Sequence, residues 1–379
     1  MPLVLDRYII TLKPHSDLDE HLAHLSSLTK RGEGLNSHEQ SQVFEGVTHR
    51  YNFSDFQAYA GHFHSSVVQQ LRAHEHVDTV EPDTIMTAAA LVTQKDAPVG
   101  LSLISHRGLS QDHKGYFYDS SAGEGTYAYV LDTGVDVSNK EFEGRAFNAH
   151  LLRKKNGYKD TNGHGTGVAG VIGSKTFGVA KKCKILSVKV MEDTDAPMSD
   201  VMLGFDWAVK DINTHKRRGR SVINISLNGE HSPSWNRALD AAARMNVVAV
   251  VAAGNDDKDV SQTSPGSSAN AITVAATDLH RVRASSSNFG AGITLFAPGV
   301  GVQSTAPDGE TREFSGTSIA AAHVTGMALY ITGIKSFANP RSLKSILQRL
   351  ATNKVVGDLK GSPNKFAYNN GGSSVGILN

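Results

Sequence analysis

The chain is poor in the features that would let it be stapled, embedded in a bilayer or spread over a polyanion. It has one cysteine in 379 residues, Cys183, so no disulfide can form within the molecule and the fold must be held by its core. No segment approaches the ~18 apolar residues that a membrane span needs. The opening MPLVLDRYII is interrupted by Asp6 and Arg7 and lacks a basic start followed by an apolar run, so it does not read as an export signal. Long runs of one charge are also missing. Lys and Arg number 38 against 37 Asp and Glu, a net charge of +1, which argues against a nucleic-acid or anionic-membrane partner. The short cluster Lys216-Arg217-Arg218 reads as a solvated helix end.

What is present, 39% hydrophobic residues, suffices for one large domain and a smaller one. Residues 8–12 alternate as a strand, 17–28 carry apolar residues at helical spacing, 43–53 and 58–63 read as strands, 65–73 as a helix and 77–80 as a strand. That βαββαβ order predicts a ferredoxin-like α+β unit of roughly 80 residues. Residues 32–41 read as turns and 84–98, rich in small residues, as a linker. Beyond Pro98 the pattern changes. Continuous apolar runs at 126–131, 184–190, 221–227, 246–252 and 271–275 alternate with helical segments at 165–173, 200–213 and 234–245. This is the signature of an α/β domain, a parallel sheet with helices on both faces.

Four stretches bring residue types suited to chemistry. Asp132, in YVLDTG, closes the strand 126–131 at its carboxyl end, where ligands of open α/β sheets collect. An aspartic-protease reading of Asp-Thr-Gly needs a second such triplet so that two carboxylates share one proton, and the chain has none. His164, in TNGHGTGVAG, is crowded by Gly163, Gly165 and Gly167, small neighbours that let a ligand backbone approach an imidazole on a first helical turn. Ser318, in FSGTSIAAAHV, stands where a tight turn meets a helix of small residues, so its hydroxyl and N–H lie where negative charge is stabilised. Asn255 ends VVAAGN, as a turn residue or as a side-chain donor to an oxyanion. Taken singly, each of these residues has an ordinary reading as a cap or turn former.

In this order, the four stretches resemble the subtilisin-like serine proteases, the proteinase K branch most closely. The resemblance implies a zymogen: an inhibitory propeptide over 1–91, acting as intramolecular chaperone and then inhibitor, and a catalytic domain over 92–379. Ser318 is then the nucleophile, His164 the general base and acid, Asp132 its orienting partner, and Asn255 with the Ser318 N–H the oxyanion hole. Protein or peptide substrates would lie as an added strand along Ser226, Leu227, Asn228 and Gly229, with 195–199 opposite and Ala252, Ala253 and Gly254 lining the primary pocket. Apolar or aromatic side chains before the cut, broad specificity and maturation near Leu91-Val92, within 87–93, follow from the same resemblance. So do a monomer, no cofactor for catalysis and an extracellular setting. Alternatives on the same fold are an inactive binding or inhibitory homologue and a peptide ligase or cyclase.

Some positions depart from the family pattern. Gly167 stands where a second histidine is usual, Ala322 where proline is, and Asn228 where glycine is. Thr294 replaces the aspartate of one calcium site, while Asp256, Asp257 and Asp259 leave a structural calcium elsewhere open. Cys183 reads as a half-buried structural cysteine, and most of the front-unit histidines (His15, His21, His24, His38, His49, His62, His64, His74 and His76) as solvated.

Overall fold

The computed structural model describes residues 3–31, 46–84, 91–109, 115–152, 155–337 and 339–373. The turn assigned to 32–41, the start of the strand at 43–45, His38, linker residues 85–90 and the window positions 87–90 lie outside the described residues. The chain separates into two compact units, Met1–Ala88 and Ala89–Asn379.

The first unit follows the order β1 (Leu3–Leu12), α1 (Leu18–Arg31), β2 (Gly46–Phe53), β3 (Phe56–His62), α2 (Ser65–Arg72), β4 (Val77–Thr84). Its strands form an antiparallel sheet, β2-β3-β1-β4. Helix α1 starts where Asp17 Oδ1 accepts the N–H groups of Asp19 and Glu20, at 2.9 and 3.0 Å. Leu18, Leu22 and Leu25, one helical stripe, join Val67, Val68 and Leu71 of α2 in a core with Ile10, Leu12 and Tyr59 of the sheet.

The second unit opens with β5 (Leu91–Gln94), α3 (Val99–Ser105) and β6 (Tyr116–Asp119). Strands β5 and β6 pair antiparallel, Val92 opposite Tyr118, so the linker reading is corrected for 91–94. Its partner lies beyond a helix, which no local pattern reveals. Next come β7 (Tyr127–Asp132), β8 (Ala146–Leu151), α4 (His164–Gly173), β9 (Lys184–Lys189), α5 (Met198–Thr214), β10 (Ser221–Ile225), β11 (Gly229–Glu230), α6 (Pro233–Arg244) and β12 (Val248–Ala252). The remainder is β13 (Thr263–Ser264), β14 (Ile272–Thr277), β15 (Leu295–Pro298), β16 (Val302–Thr305), β17 (Thr311–Phe314), α7 (Thr317–Ile334), α8 (Pro340–Leu350), β18 (Thr352–Asn353) and β19 (Lys365–Phe366).

Nine strands form one sheet in the order β18-β19-β15-β14-β12-β10-β7-β9-β8, parallel except for the β18–β19 pair. Both faces are buried, and alternate residues divide between them. Ala128, Val130, Val222 and Val250 face a core shared with α4 and α7, while Tyr129, Leu131, Ile223 and Val251 face α5 and α6. Helix α7 corrects the expectation that no segment approaches a membrane span. It is 18 residues long and apolar enough by length and composition, yet it is buried against β10, β12, β14 and β15. Cys183 is 0% exposed rather than half-buried, and burial pushes its thiol up to about 12, so it packs as a small apolar group. Arg217 is not simply solvated: it donates to Asp211 and Tyr129 and lies over the Tyr127 ring.

Candidate active site

The parallel sheet delivers the four sequence candidates to its carboxyl edge. Asp132 is the last residue of β7, His164 the first of α4, Asn255 follows β12 and Ser318 is the second residue of α7. His164, Ser318 and Asn255 line one cleft together with Ser226, Leu227, Asn228 and Gly229. Asp132 lies behind the histidine, 0% exposed, with His164 Nδ1 2.7 Å from its Oδ1. The same oxygen accepts the Thr133 N–H at 2.8 Å. Burial by itself would lower the His164 pKa; the charge and hydrogen bond of Asp132, aided by the Asp160 charge, outweigh it and hold the imidazolium above the ordinary histidine range.

A buried network that sequence patterns did not single out holds the turn 132–134 against α4. Asp160 Oδ1 accepts from Thr133 Oγ1 and the Gly163 N–H, both at 2.8 Å, and its Oδ2 from the Thr166 N–H and hydroxyl at 2.9 and 2.6 Å. Thr133 Oγ1 in turn accepts the Gly165 N–H at 2.9 Å. The approach is so close that a Cβ at Gly165 would stand 2.0 Å from the Gly134 carbonyl oxygen. Lys189, opposite Asp132 in register and 0% exposed, donates to the Thr133 and Lys159 carbonyls at 2.6 and 3.1 Å and pairs with Glu192. Asp160, in a polar loop, and Lys189, at a strand end, carried only the faint signal of charged residues flanking apolar runs.

On the other side of the cleft, Asn255 Oδ1 accepts the Thr317 N–H and hydroxyl at 2.9 and 3.0 Å. Its Nδ2, the donor end, is thereby turned away from Thr317. Ser318 sits at the N-terminus of α7, behind Gly316, with its carbonyl accepting from Ser226 Oγ at 3.1 Å. A hydroxyl at a helix N-terminus, an imidazole tied to a buried carboxylate and a free amide donor can together move a proton off the hydroxyl and stabilise an oxyanion.

The substrate-binding candidates divide. Residues 226–229 border the cleft, as do Asp195, Ala196 and Met198 from the segment opposite. Ala252 and Ala253 are 2% and 0% exposed and belong to the core, so they back the wall instead of facing the cleft. Gly254 is covered by Asn288 and Asn228, whose Nδ2 atoms stand 2.3 and 2.7 Å from where a Cβ would lie, and Asn228 Nδ2 also reaches Asp256 Oδ2 at 3.4 Å. Thus Asn228 links the two segments. Gly167, the family's histidine position, lies under the Phe314 ring, which a Cβ would meet at 2.5 Å. Ala322 sits inside the unbroken helix α7, 0% exposed.

The acidic loop residues have other partners. Asp257 is held by Lys360, whose hydrogen bond does most to keep its carboxyl below the ordinary range, and by Arg283, and Asp259 caps the turn at Ser261. Thr294 bonds Thr273 across the sheet. Among the described residues, the one group of three or more His, Cys, Asp or Glu placed to share an ion is His21, His74 and His76, in the first unit. There the histidines are not uniformly solvated. His15, His24 and His49 are exposed, His62, His64, His74 and His76 half-buried, and His21 only 1% exposed, because the α1 stripe carries it inward.

Comparison with known proteins matches residues 123–368 to the subtilase family of peptidases and residues 7–89 to the peptidase inhibitor I9 family. The chain is 42% identical to alkaline protease 1 of Aspergillus clavatus over 372 residues, 97% of this chain and 92% of that protein. It is 39% identical to the subtilisin-like proteinase Mp1 of Magnaporthiopsis poae over 377 residues, 97% of this chain and 92% of the relative. Among solved structures, a cold-adapted subtilisin-like serine proteinase superposes with a TM-score of 0.69 at 35% identity, over 73% of this chain and 99% of its own. With matches that extend over nearly all of both units, the chain belongs to the subtilase family and is a serine endopeptidase preceded by an I9 inhibitor unit.

Proposed function

We propose that Ser318, His164 and Asp132 act as a catalytic triad on extended polypeptides, with Asn255 as oxyanion donor. The observation that carries this is the 2.7 Å Asp132–His164 bond at the cleft that Ser318 and Asn255 also line. His164 Nε2 takes the Ser318 proton as Oγ bonds the scissile carbonyl carbon; Asn255 Nδ2 and the Ser318 N–H receive the oxyanion. Collapse breaks the C–N bond while the imidazolium passes its proton to the leaving amine. Water, deprotonated by His164, then attacks the acyl ester, the acid leaves and Ser318 regains its proton. Asp132 keeps its charge throughout, holding the tautomer and stabilising the imidazolium. No cofactor enters this route.

The substrate lies as an added strand along residues 226–229, where backbone pairing gives affinity and side-chain pockets give preference. The primary pocket takes apolar or aromatic residues, narrowed by Asn228. The I9 unit assists folding and, after a maturation cut near Leu91-Val92, inhibits in the manner of a product until it is degraded; Leu91 is 59% exposed at the start of β5.

Intact-mass analysis of the purified chain over time tests this. Two species from a cut within 87–93 and phosphonate labelling of Ser318 are expected, both lost in Ser318→Ala. An uncut, unlabelled wild-type chain would instead favour an inactive homologue, and a transferred acyl group with an added amine would favour a ligase.

A further inference from the structure

The front-unit histidines converge. His21 and His24 stand one turn apart on α1, while His74 and His76 flank Glu75 in the turn from α2 to β4. Ring centroids lie 4.7 Å apart for His21–His74, 5.2 Å for His74–His76 and 5.0 Å for His24–His74. One ring nitrogen from each of His21, His74 and His76 lies within 4.8 Å of the other two. Hydrogen bonding says which nitrogens are available. His21 Nε2 is paired with the Tyr59 hydroxyl at 2.9 Å, while its Nδ1 is buried without a partner. His76 Nδ1 is likewise buried and unpartnered, and His74 Nδ1 accepts the His76 backbone N–H, which leaves its Nε2.

We propose that His21, His74 and His76 form a binding site for a divalent transition-metal ion, best suited to Zn²⁺, that ties α1 to the α2–β4 turn. Three imidazoles without a thiolate or carboxylate suit zinc, copper or nickel and not calcium or magnesium. In a tetrahedral site with ~2.0–2.1 Å metal–nitrogen bonds the ligand atoms stand ~3.4 Å apart, so small rotations of the half-buried His74 and His76 close the set. The Tyr59 hydroxyl on His21 Nε2 is the outer contact that fixes a ligating imidazole's orientation. Water, or the side chain of His24, whose ring centroid lies 5.0 Å from that of His74, would supply the fourth ligand. The consequence for activity rests on reading this unit as the inhibitor: bound Zn²⁺ stabilises the folded unit by mass action and delays the loss of inhibition. The site itself does not depend on that reading.

The test uses the full chain as Ser318→Ala, stripped by a chelator and dialysed, so failure of the peptidase reading leaves it interpretable. Calorimetric titration with Zn²⁺ should give one equivalent, and Co²⁺ the strong visible bands of a four-coordinate centre. His74→Gln/His76→Gln should weaken Zn²⁺ binding by at least ~10-fold, a loss that even outer contacts of a metal site cause. His15→Gln/His49→Gln, outside the cluster, should leave it unchanged. No binding by the parent, or equal binding by the cluster variant, overturns the proposal. Should the cluster variant misfold without metal, imidazole ¹⁵N NMR of the parent decides: Zn²⁺ must shift the ring nitrogens of His21, His74 and His76, and shifts confined to other histidines refute the site.

Discussion

Asp132 is wholly buried and uses one oxygen for both His164 and Thr133, so its charge bears on the imidazole with little screening by solvent. Asp132→Asn should keep the fold and cut kcat by roughly 10⁴, because the amide stabilises the wrong tautomer; unchanged circular dichroism with near-normal turnover would contradict the assignment. The raised His164 pKa has a definite sign. A base that holds its proton to higher pH stays inactive longer, so the acid limb of kcat/KM should fall above the ordinary histidine range. Asp160→Asn removes one of the charges responsible and should move that limb to lower pH; a limb that stays in place would make Asp160 purely structural. Asn228 sits over Gly254, and Asn228→Gly should raise kcat/KM for aromatic over small residues before the cut by about 10-fold, within the range that pocket-volume changes produce. An unaltered ratio would mean that Asn228 swings clear when substrate binds. At this scale the candidate catalytic residues are legible in the sequence because the proposed chemistry demands their types in short glycine-rich contexts. Asp160 and Lys189 are not, since their importance lies in partners that only the folded turn brings together.

Strands with two buried faces announce themselves as apolar runs, which is why β7, β9, β10, β12 and β14 are readable from residues alone. Strands β8 and β15 and the edge pair β18–β19 are not, being short or, like β8, partly exposed. Helix α8 did carry a signal, Asn339-Pro340 followed by Leu343, Leu347 and Leu350, the cap and stripe that the structure uses. The small residues of α7 have a geometric cause. It runs beside α4 so closely that a Cβ at Gly326 would lie 2.6 Å from Val179 Cβ and 2.9 Å from the Ile172 carbonyl oxygen. Backbone cannot yield as a flexible side chain can, so Gly326→Val should cost about 1–3 kcal/mol or more through overpacking. In the Ser318→Ala background, which prevents self-digestion, thermal unfolding should therefore begin several degrees lower. A midpoint within error of the parent would show that the α4–α7 contact relaxes freely.

The order of the large sheet places each central strand beside partners far away in sequence: Tyr127 of β7 pairs with Lys184 of β9 on one side and Ser221 of β10 on the other. Loop-closure entropy must be met before any of these pairings contributes, so such a topology folds slowly without a template. The first unit has a more local plan, with a hairpin of β2 and β3 and two helices packed on one sheet. This difference predicts an order of events, in which the smaller unit forms first and its presence lowers the barrier for the larger. A chain starting at Val92 and carrying Ser318→Ala, diluted from denaturant, should recover its near-ultraviolet circular dichroism slowly and incompletely. Adding residues 1–88 as a separate polypeptide should restore both rate and yield, in proportion to its concentration until saturation. Equal refolding with and without that polypeptide would leave the I9 unit as an inhibitor alone and remove its role as a folding template.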